Sequence, residues 1–230
     1  MTEAALRAKV VETAVSYLGC KESDGSHRKI IDLYNSQRPL PVGYKMSYTD
    51  PWCAGFVSAV AVQLGLTGII LPECSCSRML ALYQKAGRWT ENDAYIPNPA
   101  DIVMYDWQDS GIGDNAGAPD HVGFVCEVKG NMITVIEGNK SDSVAYRTVQ
   151  INGRYIRGYC LPDYASMADG AAPAKDWSAE AKNWAIANGI VKGTGTGADG
   201  KPEYGWDSGI TLARAVTILY RFAKLIGKVA

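Results

Sequence analysis

Six cysteines and two histidines are the side chains of this sequence best suited to nucleophilic or metal chemistry. The cysteines fall at positions 20, 53, 74, 76, 126 and 160 with no CxxC pair, so a structural zinc site of ordinary spacing is not expected. "CSC" at 74–76 has the spacing of a local redox or metal pair, and its plainer reading is two small residues ahead of a helix. Cys53 stands apart. The stretch "YTDPWCAGFVSAV", residues 48–60, passes from turn residues into an apolar run, which puts Cys53 in the first turn of a helix. Amide N–H groups are free there and the helix dipole favours an anion, so a thiol ionises more readily. Ala54 and Gly55 are expected to keep space clear around the sulfur.

A thiolate nucleophile needs a partner that takes and returns a proton. Two imidazoles are on offer. His27 belongs to a polar helix start and is expected at the surface. His121 opens a strand directly after the Gly-rich loop "GIGDNAGAPD", a position that faces a cleft. "HVGFVCEV" and "MITVIEGN" read as the two strands of a hairpin. Closure through a three-residue turn, 129–131, puts Glu137 opposite Gly123 and Asn139 opposite His121. His121, Glu137 and Asn139 then share one face, and Val122, Phe124, Cys126 and Ile136 point into the core. A two-residue turn would break that parity. Gly123 leaves room for the Glu137 side chain, and Glu137 or Asn139 can hold the second ring nitrogen of the imidazole.

The elements that must position these groups are legible as periodicity. Helices are expected over 3–18, with Leu6, Val10, Ala14, Tyr17 and Leu18 as the apolar stripe; after an N-cap at Ser26; over 52–64, stopped by Gly65; and over 77–86, stopped by Gly87. From Pro99 onward the period becomes that of strands: "ADIVMYDW", the hairpin, "VAYRTVQI" and "YIRGYCL". Helices followed by an antiparallel sheet make an α+β domain rather than alternating βαβ. "PDYASMADGAAPAKD" has little to bury and reads as a linker. Beyond it come a helix capped by Asp176 or Ser178 and ended by Gly189, a Gly-rich loop, and a helix capped by Thr211 and ended by Gly227. The expected division is therefore a domain over 1–162, a linker over 163–175 and a small helical domain over 176–230.

With 230 residues, 47% hydrophobic, 20% charged and a net charge of −1, the chain can bury a good core and lacks the basic surplus of a nucleic-acid binder. The most apolar stretch, 56–71, is interrupted by polar residues and glycines and is too short to enter a membrane as a span. The first fifteen residues lack the basic, apolar and small-residue pattern of a signal peptide, so synthesis in a bacterial cytoplasm is the expectation.

In order along the chain, "PWCAGFV", "ADIVMYDW", "DHVGFV" and "VIEGN" resemble the CHAP domain, a cysteine amidase/peptidase of papain-like fold that cleaves bacterial peptidoglycan and is common in phage endolysins. The likeness covers about residues 4–161. It implies that Cys53 is the nucleophile, His121 the general base and acid, Glu137 the orienting residue and Asn139 a fourth polar member of the site. Many CHAP domains carry Gln immediately before the cysteine; here Trp52 holds that place, as in a WCA-type subgroup, which leaves the Cys53 backbone N–H as the oxyanion donor to expect. No cofactor is implied. No metal is implied either, since residues 41–52 hold only Asp50 where some phage relatives cluster aspartates around calcium.

"GTGTGADG", 193–200, follows no strand and lacks the ending of a phosphate loop. "GIVKG" followed by "ITLARAVTILYRFAK" resembles an S-layer homology repeat instead. Such repeats bind cell-wall polysaccharide through Thr-Arg-Ala-Glu, where this chain has Thr211-Leu212-Ala213-Arg214. Trp177, Trp184, Tyr204 and Trp206 can stack on sugars or fill a small core. A single repeat buries little surface alone, which points to self-association or packing on the first domain. The expectation is a peptidoglycan hydrolase, amidase or endopeptidase, of the endolysin kind that acts on the wall after release. The alternative is a wall-binding or assembly protein on the same scaffold.

Overall fold

The computed structural model describes residues 1–108, 117–168, 179–192, 195–196, 202–203 and 212–227. The chain divides into two units, Met1–Ala171 and Ala172–Ala230.

The first unit is α+β. Helix α1 (Glu3–Val15) is capped by the Thr2 hydroxyl, which accepts from the Ala5 N–H at 3.2 Å. Helix α2 (Arg28–Ser36) follows, then α3 (Cys53–Leu64) and α4 (Cys76–Lys85). Gly65 (φ +67°) ends α3 in the left-handed region that an L side chain resists. The strands are β1 (Trp89–Thr90), β2 (Ile102–Tyr105), β3 (His121–Lys129), β4 (Met132–Lys140), β5 (Ser143–Gln150) and β6 (Ile156–Cys160). They form one six-stranded antiparallel sheet in the order β1-β6-β2-β3-β4-β5. The expected strands are all present; β1, only two residues long, has no period to reveal it.

α3 is apolar nearly all round and is buried from Cys53 to Ala61, as a helix enclosed by other elements must be. It lies between α1 and α2 on one side and β3 and β4 on the other, and the main core fills that space. A second cluster of Val103, Tyr105, Val125, Ile133, Val135 and Tyr159 covers the opposite face of the sheet.

Three local expectations change. Ser26 does not cap α2, because its hydroxyl donates to Asp24 and accepts from the Lys21 N–H at 2.9 Å, and His27 takes the cap position. Leu18 is exposed, since α1 ends at Val15 and the chain turns away before it. Residues 163–167, read as the start of the linker, make a short 3-10 turn against the first unit. Tyr164 is fully buried there, its hydroxyl donates to the Ala100 carbonyl at 3.0 Å, and the Arg7 guanidinium covers its ring.

The second unit holds α5 (Ala179–Ala187), a small ladder of β7 (Gly195–Thr196) and β8 (Pro202–Glu203), and α6 (Leu212–Leu225). Gly189 and Gly227 have φ near +66°, as helix terminators do. The Trp184 and Phe222 rings meet edge on at 6.4 Å, and Arg221 donates to the Ile190 carbonyl at 3.3 Å. The expected caps Asp176, Ser178 and Thr211, and Trp177, Tyr204 and Trp206, lie outside the described residues. No helix among the described residues is long and apolar enough to cross a membrane.

Candidate active site

Cys53 is the first residue of α3, where Trp52 offers no side-chain cap and the leading amides stay free for an anion. Its sulfur, nearly buried, meets three donors: the Cys76 thiol at 3.6 Å, the His121 imidazole and the Ala54 amide. The Cys76 contact first, then His121 and Ala54, outweigh burial and hold the Cys53 thiol well below its ordinary range. Cys76 moves the opposite way, because a thiol that donates to its neighbour and is itself buried resists ionising.

His121 Nε2 lies 3.0 Å from Glu137 Oε2, which leaves Nδ1 for the thiol. Burial disfavours the charged ring, but Cys53 and Glu137 together overcome that and push His121 up to about 9. Glu137 is fully buried, and burial alone would raise it; His121 and Arg147 hold its carboxyl below the usual range instead. The three shifts run together toward a thiolate and an imidazolium backed by a carboxylate. The thiolate supplies a nucleophile, the imidazolium a proton for a leaving group.

The hairpin reaches this arrangement by a route the spacing did not suggest. Lys129 pairs with Met132, so the turn has two residues, and near the tip the strands run one place out of step with the expected register. Cys126 bulges out between Val125 and Glu127 and restores the step, so that Phe124 faces Ile136 and Gly123 faces Glu137. A Cβ on Gly123 would stand 2.7 Å from Glu137 Cγ and 2.8 Å from the Ile136 carbonyl, so the close approach requires glycine. Gly138 acts likewise between sheet and helix: a Cβ there would meet Phe56 Cβ at 2.4 Å and hold β4 away from α3. Gly55 does something other than clear the sulfur, since its missing Cβ makes room for Met46 Sδ.

Asn139 departs from the expected alternation. Its φ is +54°, and the β4–β5 register shifts between Glu137 and Lys140, so the regular alternation from which the shared face is argued is interrupted there. It is half-buried, and the polar contact on the described imidazole Nε2 comes from Glu137.

Arg147 is the residue that sequence reasoning missed. It lies on β5 opposite Val135 of β4, shares the Glu137 face, and donates from Nε to Glu137 Oε1 at 2.7 Å. Its guanidinium lies 4.7 Å from the Trp107 ring centroid, and Trp107 stacks on Tyr105 at 4.7 Å, directly beside His121. The available signal is an arginine on the same face as Ala145 and Val149, on the strand that follows the one carrying Glu137.

His27 is buried, not at the surface. Nε2 lies 3.0 Å from the Tyr48 carbonyl, Nδ1 3.3 Å from the Lys21 carbonyl, and the ring rests on Trp52. It ties the loop before Cys53 to the chain before α2. Trp52 is fully buried, and its indole N–H donates to Glu22 Oε1 at 2.9 Å. Among the described residues no group of three or more His, Cys, Asp or Glu side chains is arranged to hold a metal ion.

Residues 43–139 match the CHAP domain family, a segment that begins ahead of Cys53 and ends just past Glu137. The match supports a CHAP-domain protein, and with it peptidoglycan hydrolase-type activity in general. It is shorter than the span over which the motifs carry a resemblance, and it leaves α1, α2, β5 and β6 to complete the unit outside it. No curated protein matches the chain.

Proposed function

We propose that the first unit is a papain-like cysteine amidase or endopeptidase that cuts peptidoglycan by acyl transfer. The observation that carries this reading is the run Cys53, His121, Glu137, Arg147, in which each group is held by the next. The Cys53 thiolate attacks the carbonyl carbon of a wall amide, and the His121 imidazolium gives its proton to the departing amine. Neutral His121 then takes a proton from water, the hydroxide attacks the acyl carbon, and the C–S bond breaks, which restores the Cys53 thiolate and the His121 imidazolium. Glu137 fixes the ring and steadies its positive charge through Nε2. The Cys53 backbone N–H, at the open end of α3, is the oxyanion donor in this scheme.

The pairing of such a unit with a small second one suits an endolysin, released to the wall after synthesis in a bacterial cytoplasm. In that setting the second unit contacts wall polysaccharide or a second copy of itself.

The test is a zymogram on Gram-positive walls with the full chain beside Cys53→Ala. Clearing by the unaltered chain alone is expected. Equal clearing, or none from either, overturns the reading and leaves a wall-binding scaffold. Mass spectrometry of the soluble fragments then assigns the bond: free stem peptides mean an amidase, cut stems or bridges an endopeptidase.

A further inference from the structure

The 3.6 Å contact between the Cys53 and Cys76 sulfurs helps favour the Cys53 thiolate, but no bond or proton of the hydrolytic scheme passes through Cys76. Cys76 is the first residue of α4, and Cys53 is the first residue of α3, so two helix starts bring two thiols together. Both are buried, and neither is in a disulfide. A structural cysteine pair would be inert, but one member here opens a helix beside His121, a place that favours the thiolate, and a thiolate is the form that reacts with peroxide.

We propose that Cys53 and Cys76 are a covalent modification site: a peroxide oxidises Cys53, and Cys76 resolves it to a reversible disulfide that switches the site off. In the first step the Cys53 thiolate attacks one oxygen of hydrogen peroxide. An S–O bond forms, the O–O bond breaks, and the departing hydroxide takes a proton to become water. In the second, the Cys76 sulfur attacks the Cys53 sulfenic sulfur. An S–S bond forms, the S–O bond breaks, and the oxygen leaves as water with the proton of Cys76. The two sulfurs lose two electrons in all and the peroxide gains two. A dithiol reductant returns both thiols.

Geometry and charge favour the second step. The sulfurs must close from 3.6 Å to about 2.05 Å, a movement within reach of side-chain rotation. The thiolate of Cys53 is also the chief reason that Cys76 resists ionising, and a neutral sulfenic acid removes that obstacle. Cys74, two residues away, is turned instead toward Glu73 and Arg78. The consequence for lysis rests on Cys53 being the nucleophile; the sulfur chemistry does not.

The full chain is treated with hydrogen peroxide, and the peptide from Met46 to Arg78, which trypsin leaves whole, is weighed. The expected product is a loss of two hydrogens, and cleavage after Glu73 leaves the two halves joined. Cys74→Ser is expected to keep the cross-link. Cys76→Ser, which retains a hydroxyl donor, is expected to lose it and to gain two oxygens at Cys53. Lytic activity, measured against each protein's own untreated value, is expected to return with dithiothreitol in the unaltered chain and to stay lost in Cys76→Ser. Over-oxidation of Cys53 in the unaltered chain, or a cross-link that survives in Cys76→Ser and vanishes in Cys74→Ser, overturns the proposal. If the cross-link forms but Cys53→Ala still clears walls, the hydrolase reading fails and the modification site stands.

Discussion

Arg147 meets Glu137 through the carboxylate oxygen that His121 leaves free, Nε to Oε1 at 2.7 Å, while His121 takes Oε2 at 3.0 Å. A fully buried carboxylate therefore lies between two cations from different strands. One cation turns over its proton in the proposed reaction; the other is fixed and belongs to β5. Arg147 is also braced across Tyr105 and Trp107, so its fork is held by packing as well as charge.

Removing that brace gives the first prediction. In Arg147→Met, Glu137 keeps one cation, and its ionised form is less favoured. The acid limb of kcat/KM is expected to move up by about one pH unit, the usual scale for an opposite charge within a few ångström. The plateau is expected to drop about tenfold as the carboxylate loosens and the imidazole with it, a barrier change of roughly 1.4 kcal/mol. Arg147→Lys restores the charge but not the fork, so it is expected to recover the acid limb and only part of the plateau. A pH series of wall-lysis rates for both variants checks this.

The second prediction concerns the unaltered chain. Cys53 must be ionised and His121 protonated for the proposed attack and proton transfer. Cys53 is held well below the ordinary thiol range, so the acid limb falls well under the pH at which a free cysteine ionises. His121 is raised to about 9, so activity is expected to fall as pH rises through about 9, where the imidazolium loses its proton. Alkylation of Cys53 by iodoacetamide, followed by mass at its peptide, is expected to proceed at pH values where the other cysteines stay unmodified. A single rising limb near the ordinary thiol range would show that no ion pair forms.

How far the sequence disclosed this arrangement depends on the range of the signal. Cys53 at a helix start, and Gly123 opposite Glu137, follow from period and parity over a few residues. The turn length was misjudged, yet the facing pair emerged, because the bulge at Cys126 cancels the difference. A bulge needs only one extra residue and leaves no mark in an apolar alternation such as "VGFVC". Asn139 is less legible for a related reason: a residue with positive φ interrupts the alternation on which a shared face depends. Arg147 and Cys76 come from separate elements, and nothing local in either says which buried group it will meet. His27 is buried where a polar helix start suggests the surface, because the Tyr48 carbonyl, 21 residues away, and the Trp52 ring enclose it.

Gly123 gives the third prediction. The Cβ of Gly123→Ala would press on Glu137 Cγ and on the Ile136 carbonyl, and the backbone oxygen cannot swing aside. Overpacking of this kind costs about 1–3 kcal/mol. Val135 Cγ1 also stands 2.7 Å away, but it belongs to a fully buried β-branched side chain, so relief falls chiefly on the longer Glu137 side chain. The variant is therefore expected to lose activity beyond its loss of stability, with Glu137 displaced from His121. Gly138→Ala presses on Phe56 and the Trp52 ring instead, away from the His121–Glu137 contact, and is expected to lower the melting temperature with less effect on kcat/KM in the fraction still folded. Thermal unfolding alongside kinetics separates the two. Equal losses of activity at matched stability would mean that Gly123 only packs the hairpin.

The last prediction concerns Trp52, which occupies the place where many CHAP domains carry glutamine. Its ring is wholly enclosed between His27, Phe56 and Gly138, and its one polar atom is committed to Glu22. An oxyanion donor must point at a developing charge next to the nucleophile, and a committed indole cannot do so. Trp52→Phe keeps the apolar body and deletes the N–H, leaving the Glu22 carboxylate short of a donor. The expected cost is about 2 kcal/mol of stability, the scale of a hydrogen bond to a charged group. The expected change in kcat/KM is less than about threefold, against the roughly hundredfold loss that follows removal of an oxyanion donor. Trp52→Gln, the residue type many CHAP domains carry there, places a polar side chain in an apolar enclosure shaped for an indole. It is expected to destabilise the unit by about 3 kcal/mol or more without raising kcat. Melting temperature and lysis rate measured on both variants decide the matter: a hundredfold loss in Trp52→Phe at near-normal stability would return Trp52 to the chemistry.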